Sequence, residues 1–283
     1  MIDLAIRTLP SRLWQFLGVA ALVATLGGCH PIRPDNPTQG EKEPEDLIDH
    51  FLCYAIDSEF KGPEVVLLDQ FKLPKKNLRV GNRRLLCNPV DKKTDKHESP
   101  RKFKETHLVC YKIPEDEVRR PVTITNQFRK AAVPLTIEKA QLLCLPSGKS
   151  KDTSKRPDIP TNIDHYKCYA PVLDNLKTTK VPLKLEDQFD KYEDRKVALS
   201  LLCNPVDKTV LEDPKKGEGA QQARAERPPT EPVLINAGAH LVCYRLNIRP
   251  DVAQTVRIRN QFEDSVVKTQ YPELLCLPSG KKE

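Results

Sequence analysis

The stretch His107-Leu108-Val109-Cys110-Tyr111 determines how this chain is organised, because its pattern His-x-x-Cys-Tyr also occurs at residues 50–54, 165–169 and 240–244. Each occurrence is followed by Asp or Asn with Gln-Phe, and then by Leu-Leu-Cys-x-Pro. The two cysteines of one copy lie 33 to 35 positions apart. A pattern that recurs four times at this spacing predicts four structurally similar copies.

The four copies are of two kinds that alternate along the chain. Copies one and three carry Asp-Gln-Phe and end Cys-Asn-Pro-Val-Asp-Lys, whereas copies two and four carry Asn-Gln-Phe and end Cys-Leu-Pro-Ser-Gly-Lys. An unlike pair that is duplicated once predicts two domains. We place β domain one at 47–149 (copies 47–90 and 107–149), a linker at 150–161, and β domain two at 162–281 (copies 162–206 and 240–281, with a charged insert at 207–239).

The secondary structure is expected to be β. Residues 122–128 and 256–262 alternate strictly, with Val, Ile, Asn and Phe on one face, which is typical of half-buried strands. The 25 prolines and 11 glycines argue against long helices, although residues 213–226 could form a short surface helix. We predict an all-β fold: two tandem, disulfide-stabilised, small antiparallel β-sandwich or barrel domains, each a pseudo-symmetric pair of repeats.

Eight of the nine cysteines belong to the repeat. An even number of regularly spaced cysteines in an exported chain favours disulfides. The simplest pairing joins the two cysteines of each copy: Cys53–Cys87, Cys110–Cys144, Cys168–Cys203 and Cys243–Cys276. Each such bridge would contribute up to about 4 kcal/mol by restricting the unfolded chain. The alternative joins successive copies through Cys87–Cys110, and it then requires Cys53–Cys144.

The repeat supplies histidines and glutamines as candidate site residues, at His50, His107, His165 and His240 and at Gln70, Gln127, Gln188 and Gln261. On a strand, His107 and Cys110 point to opposite faces and cannot bind one ion together. The C-x-x-C spacing of structural zinc sites is absent. We therefore predict no metal and no cofactor, and we expect the histidine rings to bond to backbone where strands begin.

The Asp or Asn before Gln-Phe lies at the end of a strand. Its side chain is expected to accept hydrogen bonds from nearby backbone N–H groups and so to stabilise a turn. Calcium binding by Asp69 and Asp187 is the competing interpretation. It is disfavoured because Asn occupies the position in the other two copies and no acidic cluster surrounds it.

The N-terminus carries a targeting signal. Arg7 and Arg12 accompany an apolar run at 13–26, shorter than the roughly 20 residues that a membrane-spanning helix needs. The run ends Leu26-Gly27-Gly28-Cys29, which resembles the lipobox of bacterial lipoproteins. The resemblance implies a signal peptide at 1–28, acylation of Cys29 and insertion of its lipid in a bilayer. His30, in place of Asp, implies sorting to the outer membrane. The polar residues after Cys29 predict a disordered tether over 29–46.

Charge and motifs exclude several classes of function. Without the signal the net charge is +6, because two Arg and one Asp leave a chain of charge +7. Acidic and basic residues are interspersed, which is typical of a solvated surface, and we expect no nucleic-acid partner. The patterns G-x-S-x-G, H-E-x-x-H and G-x-G-x-x-G are absent, and we assign no catalytic residue.

The repeat resembles an uncharacterised family of exported bacterial domains built on H-x-x-C-Y, N-Q-F and L-C-x-P-S. The resemblance covers most of residues 47–281, but copies one and three depart from the L-C-x-P-S ending. The family supplies no activity. We therefore expect a non-enzymatic envelope lipoprotein with a structural or binding role and an unidentified envelope protein or polysaccharide as partner. A carbohydrate- or polymer-binding module, with exposed tyrosines such as Tyr192 as platform, and an envelope hydrolase are the alternatives.

Overall fold

The computed structural model describes residues 43–71, 77–172, 178–211 and 233–283, and their regular structure is almost entirely β. The predicted all-β class is confirmed, and every strand pairing in the described ranges is antiparallel. The elements are α1 Pro44–Leu47, β1 Phe51–Ser58, β2 Glu64–Asp69, β3 Leu78–Arg79, β4 Arg83–Pro89, β5 Asp91–Lys93, β6 Glu98–Ser99, β7 His107–Asn126, β8 Arg129–Ser150, β9 His165–Pro171, β10 Thr179–Glu186, β11 Lys191–Leu211, β12 His240–Leu246, β13 Thr255–Arg259, β14 Asp264–Lys268 and β15 Pro272–Lys282.

Eight of these strands close into a ring, which we call the inner ring. Its order is β1, β4, β7, β8, β9, β11, β12, β15 and back to β1. Each copy contributes two neighbouring strands, one carrying His-x-x-Cys-Tyr and the other Leu-Leu-Cys-x-Pro. The four copies therefore follow one another around the ring, so copy one lies opposite copy three and copy two lies opposite copy four.

Strand alternation divides the apolar residues between the two faces of the ring. Leu108 and Cys110 belong to the cluster inside the ring, whereas Val109 and Tyr111 belong to the larger cluster on its outer face. This is the alternation that the sequence predicts for residues 107–111. The outer cluster is covered by the segment that connects the two ring strands of each copy, which we call the arm.

Each arm pairs with the opposite copy. The arm strand β2 of copy one pairs with residues 206–211 of β11, and β10 of copy three pairs with β5. Copies two and four make the same exchange, because residues 123–125 of β7 pair with 280–282 of β15 while β13 pairs with 148–150 of β8. The ring strands β7, β8 and β11 are long because they continue into arms or past their Cys-x-Pro segments.

The predicted division into two domains is not confirmed. Strands of the two predicted domains join in one sheet, since β1 pairs with β15 and β8 pairs with β9, and the described residues fall in one compact unit. The predicted linker at 150–161 therefore connects β8 to β9 within that unit. The charged insert begins later than expected, because residues 207–211 pair with β2.

Other expectations concern the chain ends and the insert. The tether is expected to run to residue 46, but α1 forms at Pro44–Leu47, and Lys102 Nζ donates to the Glu45 carbonyl over 2.8 Å. The signal peptide, Cys29 with the rest of the tether, and the short helix at 213–226 lie outside the described residues. In the described part of the chain, no helix has the length and apolar character needed to cross a membrane.

Candidate functional site

The eight repeat cysteines lie inside the ring and form four disulfides. The pairs are Cys53–Cys87, Cys110–Cys144, Cys168–Cys203 and Cys243–Cys276, which is the within-copy arrangement. Both cysteines of a pair are at most 4% exposed, and sulfurs of neighbouring copies touch, as in Cys53 with Cys276 at 3.9 Å. The disulfides therefore form one buried layer across the ring.

The interior of the ring has no space for a ligand. Leu, Phe and Tyr side chains fill the layers beside the sulfurs, among them Phe51, Leu108 and Tyr166. The cavity left between these residues is about 10 Å³. Since a single water molecule needs roughly 10–15 Å³ of such space, the interior is far too small for a ligand.

The Asp or Asn of the Asp/Asn-Gln-Phe motif stabilises a turn in every copy, as predicted. In each case its side-chain Oδ1 accepts a hydrogen bond from the backbone N–H of the Phe two residues later, over 2.8 to 3.2 Å. The sequence thus correctly predicts the local part of this residue's role.

The same side chain also joins its arm to the opposite copy, and sequence reasoning missed this contact. The repeat tyrosine is the first partner: Tyr54 Oη donates to Asp187 Oδ2 over 2.9 Å, and the Asn260 amide donates to Tyr111 Oη over 2.7 Å. The Phe of the arm packs edge-on against that tyrosine, with ring centroids 5.1 to 5.6 Å apart. Tyr169 with Asp69 and Tyr244 with Asn126 complete the set.

The second partner differs between the two kinds of copy. Where the arm carries Asp, the opposite copy presents an Asn amide as donor, as in Asn88 Nδ2 to Asp187 Oδ2 over 2.8 Å. Where the arm carries Asn, the opposite copy presents a Ser hydroxyl, as in Asn260 Nδ2 to Ser147 Oγ over 3.1 Å. Each arm is therefore matched to its partner by hydrogen-bond polarity, which explains why the motifs alternate.

Neighbouring copies meet at four equivalent places, which we call junctions. Each combines the His and the Cys-x-Pro-x-x-Lys lysine of one copy with the Gln-Phe of the next copy around the ring. The lysine ammonium lies over the Phe ring at 4.2 to 5.2 Å from its centroid. The junctions are His50-Lys92-Gln127-Phe128, His107-Lys149-Gln188-Phe189, His165-Lys208-Gln261-Phe262 and His240-Lys281-Gln70-Phe71.

Burial sets the ionisation of the junction lysines. It lowers the pKa of Lys92 and of Lys208 to about 8, and it lowers the pKa of Lys149 to about 7. Lys149 donates to Asn88 Oδ1 over 2.7 Å, and Lys208 donates to Gln261 Oε1 over 2.6 Å. Sequence reasoning overlooked these lysines, although their constant place five residues after the second cysteine was a signal.

His50, His107 and His240 are buried and His165 is half-buried, and all four are weaker bases than an ordinary histidine. Burial, with a junction lysine nearby, lowers the pKa of His165 to about 4 and of His240 to about 3, and it lowers the pKa of His50 and of His107 well below the usual value. Among the described residues, no hydrogen bond joins these rings to backbone, contrary to expectation. His240 Nδ1 contacts Asn204 Oδ1 at 3.1 Å, His165 Nε2 contacts Gln261 at 3.3 Å, and neither ring nitrogen of His107 has a partner in the described residues.

The repeat glutamines hold each arm to the start of the preceding copy. Gln70 Nε2 donates to the Ala237 carbonyl over 2.9 Å, and Gln188 Nε2 donates to the Lys104 carbonyl over 3.0 Å. Gln261 bonds to the histidine and the lysine of its junction. Gln127 donates to Ser99 Oγ over 3.1 Å and to Glu45.

One junction opens onto a surface cleft of about 830 Å³. All four copies border it: residues 94–97 after β5, 125–128 of the copy-two arm, 179–182 of β10, and Pro278 with Gly280 on β15. Lys92, Gln127 and Phe128 form its floor, and residues 43–45 lie at its rim. This cleft has room for a ligand of ordinary size, which needs roughly 300–1,000 Å³.

The structure corrects one expectation about ligand binding. Tyr192 is 6% exposed and its hydroxyl is hydrogen-bonded to that of Tyr54, so it cannot serve as an exposed platform for a sugar. Within the described ranges, no three His, Cys, Asp or Glu side chains are grouped closely enough to hold a metal ion.

Comparisons with models of protein families, with curated proteins and with solved structures find no match to this chain. Function must therefore be inferred from the geometry of the chain itself.

Proposed function

We propose that this protein is an exported, lipid-anchored binding protein without catalytic activity, which holds a rigid β unit away from a membrane of the bacterial envelope. The buried layer of four disulfides carries the proposal, because such bonds form and persist in oxidising compartments outside the cytoplasm. The Leu26-Gly27-Gly28-Cys29 sequence supplies the anchor, and the outer membrane is the proposed destination.

A non-catalytic role is supported by how the repeated polar residues are used. The four histidines are the natural candidates for acid–base catalysis, yet each lies in its own junction, where burial lowers its pKa. The Asp and Asn side chains of the arms bond to Tyr, Asn and Ser side chains of the opposite copy.

A binding role is supported by the cleft above Lys92. Its walls come from all four copies, so its shape depends on the assembled ring. Its lining combines polar groups with the apolar Val181, Pro182 and Pro278, a mixture that suits a polysaccharide or another polar envelope polymer.

Mass spectrometry of the protein purified from membranes tests the proposal. We expect non-reduced peptides to contain the four within-copy disulfides and the N-terminal peptide to begin at an acylated Cys29. A panel of glycan, peptide and ester substrates should give no turnover. Free thiols, an unmodified N-terminus, or turnover that is lost in a His240→Gln variant would contradict the proposal.

A further inference from the structure

The junction of copies one and two differs from the other three in its lysine. Lys149 donates a hydrogen bond to Asn88, Lys208 donates one to Gln261, and Lys281 Nζ lies 2.7 Å from Glu283 Oε1. Lys92 is 1% exposed, and its Nζ has no acceptor among the residues that the structure describes. Its contact is with the ring of Phe128, 5.2 Å away.

A buried ammonium without an acceptor is costly, so the position calls for an explanation. The pKa of Lys92, lowered by burial to about 8, still leaves the group mostly protonated at neutral pH. Glu45 is the acidic residue whose charge acts on Lys92, but its carboxylate accepts a hydrogen bond from Gln127 and lies 3.9 Å from His97 Nε2. The charge of Lys92 is therefore not neutralised by a direct ion pair within the described ranges.

Two further polar atoms are buried beside Lys92. Gln127 Oε1 and His50 Nε2 make no hydrogen bond of normal geometry within the described residues, and the Gln127 side chain interacts with the His50 ring. Together with Lys92 Nζ they give the floor of the 830 Å³ cleft one cationic donor, one acceptor and one imidazole nitrogen. No other junction combines an acceptor-free lysine with an open cleft in the described part of the chain.

We propose that this cleft binds a small hydroxylated anion, with its carboxylate or phosphate on Lys92 and a hydroxyl on Gln127. Carboxylates at the rim, Glu43, Glu45 and Asp95, would accept hydrogen bonds from further hydroxyls. The apolar wall of Val181, Pro182 and Pro278 would cover one face of a sugar-like ring. A uronate and a sugar phosphate share this chemistry. The inference rests on the proposed binding role and names its ligand class.

Isothermal titration of the full chain, purified in detergent, tests the inference with glucuronate, glucose 6-phosphate and uncharged glucose. We expect at least one of the two anions to bind, and glucose to bind at least tenfold more weakly. Lys92→Met keeps the apolar stem and should raise the dissociation constant at least tenfold. Lys281→Met, at the equivalent place of another junction, should leave it unchanged. Gln127→Met should weaken binding of the same anion.

Absence of binding by both anions up to about 10 mM, or an unchanged dissociation constant in Lys92→Met, would overturn the inference. If Lys92→Met does not fold, the wild-type chain labelled with ¹³C-lysine replaces it. A lysine Cε signal of a buried residue that moves with anion but not with glucose would support the inference, and no such movement would refute it. Capture of envelope polymer by a chain that binds neither anion would refute this ligand class and leave the proposed binding role intact.

Discussion

Replacing Asp187 by Asn reverses the polarity of one arm contact while preserving its shape. The Asp187 Oδ1 that accepts from the Phe189 N–H is kept, because Asn does this in copies two and four. At the other oxygen, an NH₂ group would face the Asn88 amide and the Tyr54 hydroxyl, which lie 2.8 and 2.9 Å away. The hydroxyl can rotate to accept, but the Asn88 amide would face a second donor.

The expected cost is about 2–4 kcal/mol in the free energy of unfolding. It includes one or two hydrogen bonds to a charged acceptor, each contributing about 1.5–3 kcal/mol, and a buried donor left unsatisfied. The site is nearly closed to water, because Asn88 is fully buried and Asp187 is 7% exposed. Asp190→Asn removes a carboxylate from the same turn at an exposed position, and it should change stability by less than about 0.5 kcal/mol.

A second substitution should restore the matched polarity. Asn88→Asp alone places two carboxylates against each other, so it should also destabilise the chain. In the double variant, the carboxylate at position 88 would accept from the amide at position 187 and would still accept from Lys149, which now bonds Asn88 Oδ1 over 2.7 Å. We expect a favourable coupling of at least about 2 kcal/mol between the two changes.

Unfolding in guanidinium, followed by far-ultraviolet circular dichroism with disulfides intact, measures the wild type and the four variants. The only Trp is Trp14, in the proposed signal segment, so tryptophan fluorescence would report little on the ring. Equal stability of Asp187→Asn and the wild type would refute the polarity argument. So would a double variant that is no more stable than the weaker of the two singles.

Three further expectations follow from the fold. The two halves of the chain, residues 43–149 and 162–283, should each stay unfolded when they are expressed separately, because every arm pairs with a copy in the other half. Mixed under oxidising conditions, they should regain the far-ultraviolet circular dichroism of the β structure. One half that folds alone would refute this expectation. The free energy of unfolding should fall as pH drops from 6.5 towards 4, by up to about 1.4 kcal/mol per pH unit for each repeat histidine. The reason is that the lowered histidine pKa values keep the folded chain from binding protons that the unfolded chain binds. In guanidinium titrations at successive pH values, His165→Asn should reduce this slope, and His97→Asn, at an exposed position, should not. Arg83→Met should cost about 3 kcal/mol in guanidinium unfolding, because it leaves the buried Glu263 carboxylate without its cation, and Glu263→Gln added to it should recover part of that loss.

The elements nearest to each cysteine could be predicted from the sequence. Alternation correctly assigned Cys110 to the face opposite Val109 and Tyr111, and the Asx turns before Phe71 and Phe128 follow from the chemistry of Asp and Asn. These inferences succeed because strand alternation and turn bonding depend on residues a few positions apart.

The arrangement of the copies could not be predicted in the same way. The duplicated pair of unlike copies suggested two domains, since neighbours in sequence usually pack together. Closing eight strands into one ring instead leaves no edge between the halves, and each arm then lies against the opposite copy. Local patterns do not say which of four similar hairpins an arm will cover. One signal was available: Asp before Gln-Phe occurs in the copies that have Asn-Pro-Val after the second cysteine, and Asn occurs in the copies that have Leu-Pro-Ser there.

The exchange of arms explains why a chain of four repeats keeps two kinds of motif. If each arm covered its own copy, a change from Asp to Asn would need compensation only within that copy, and all four copies could vary independently. Because copies one and three exchange arms, a change at Asp69 must suit Asn204, and a change at Asp187 must suit Asn88. Copies two and four form a separate pair with Ser as the partner. Two polarity classes can therefore persist side by side in one ring, and an arm placed on a hairpin of the other class would lose its hydrogen-bond match.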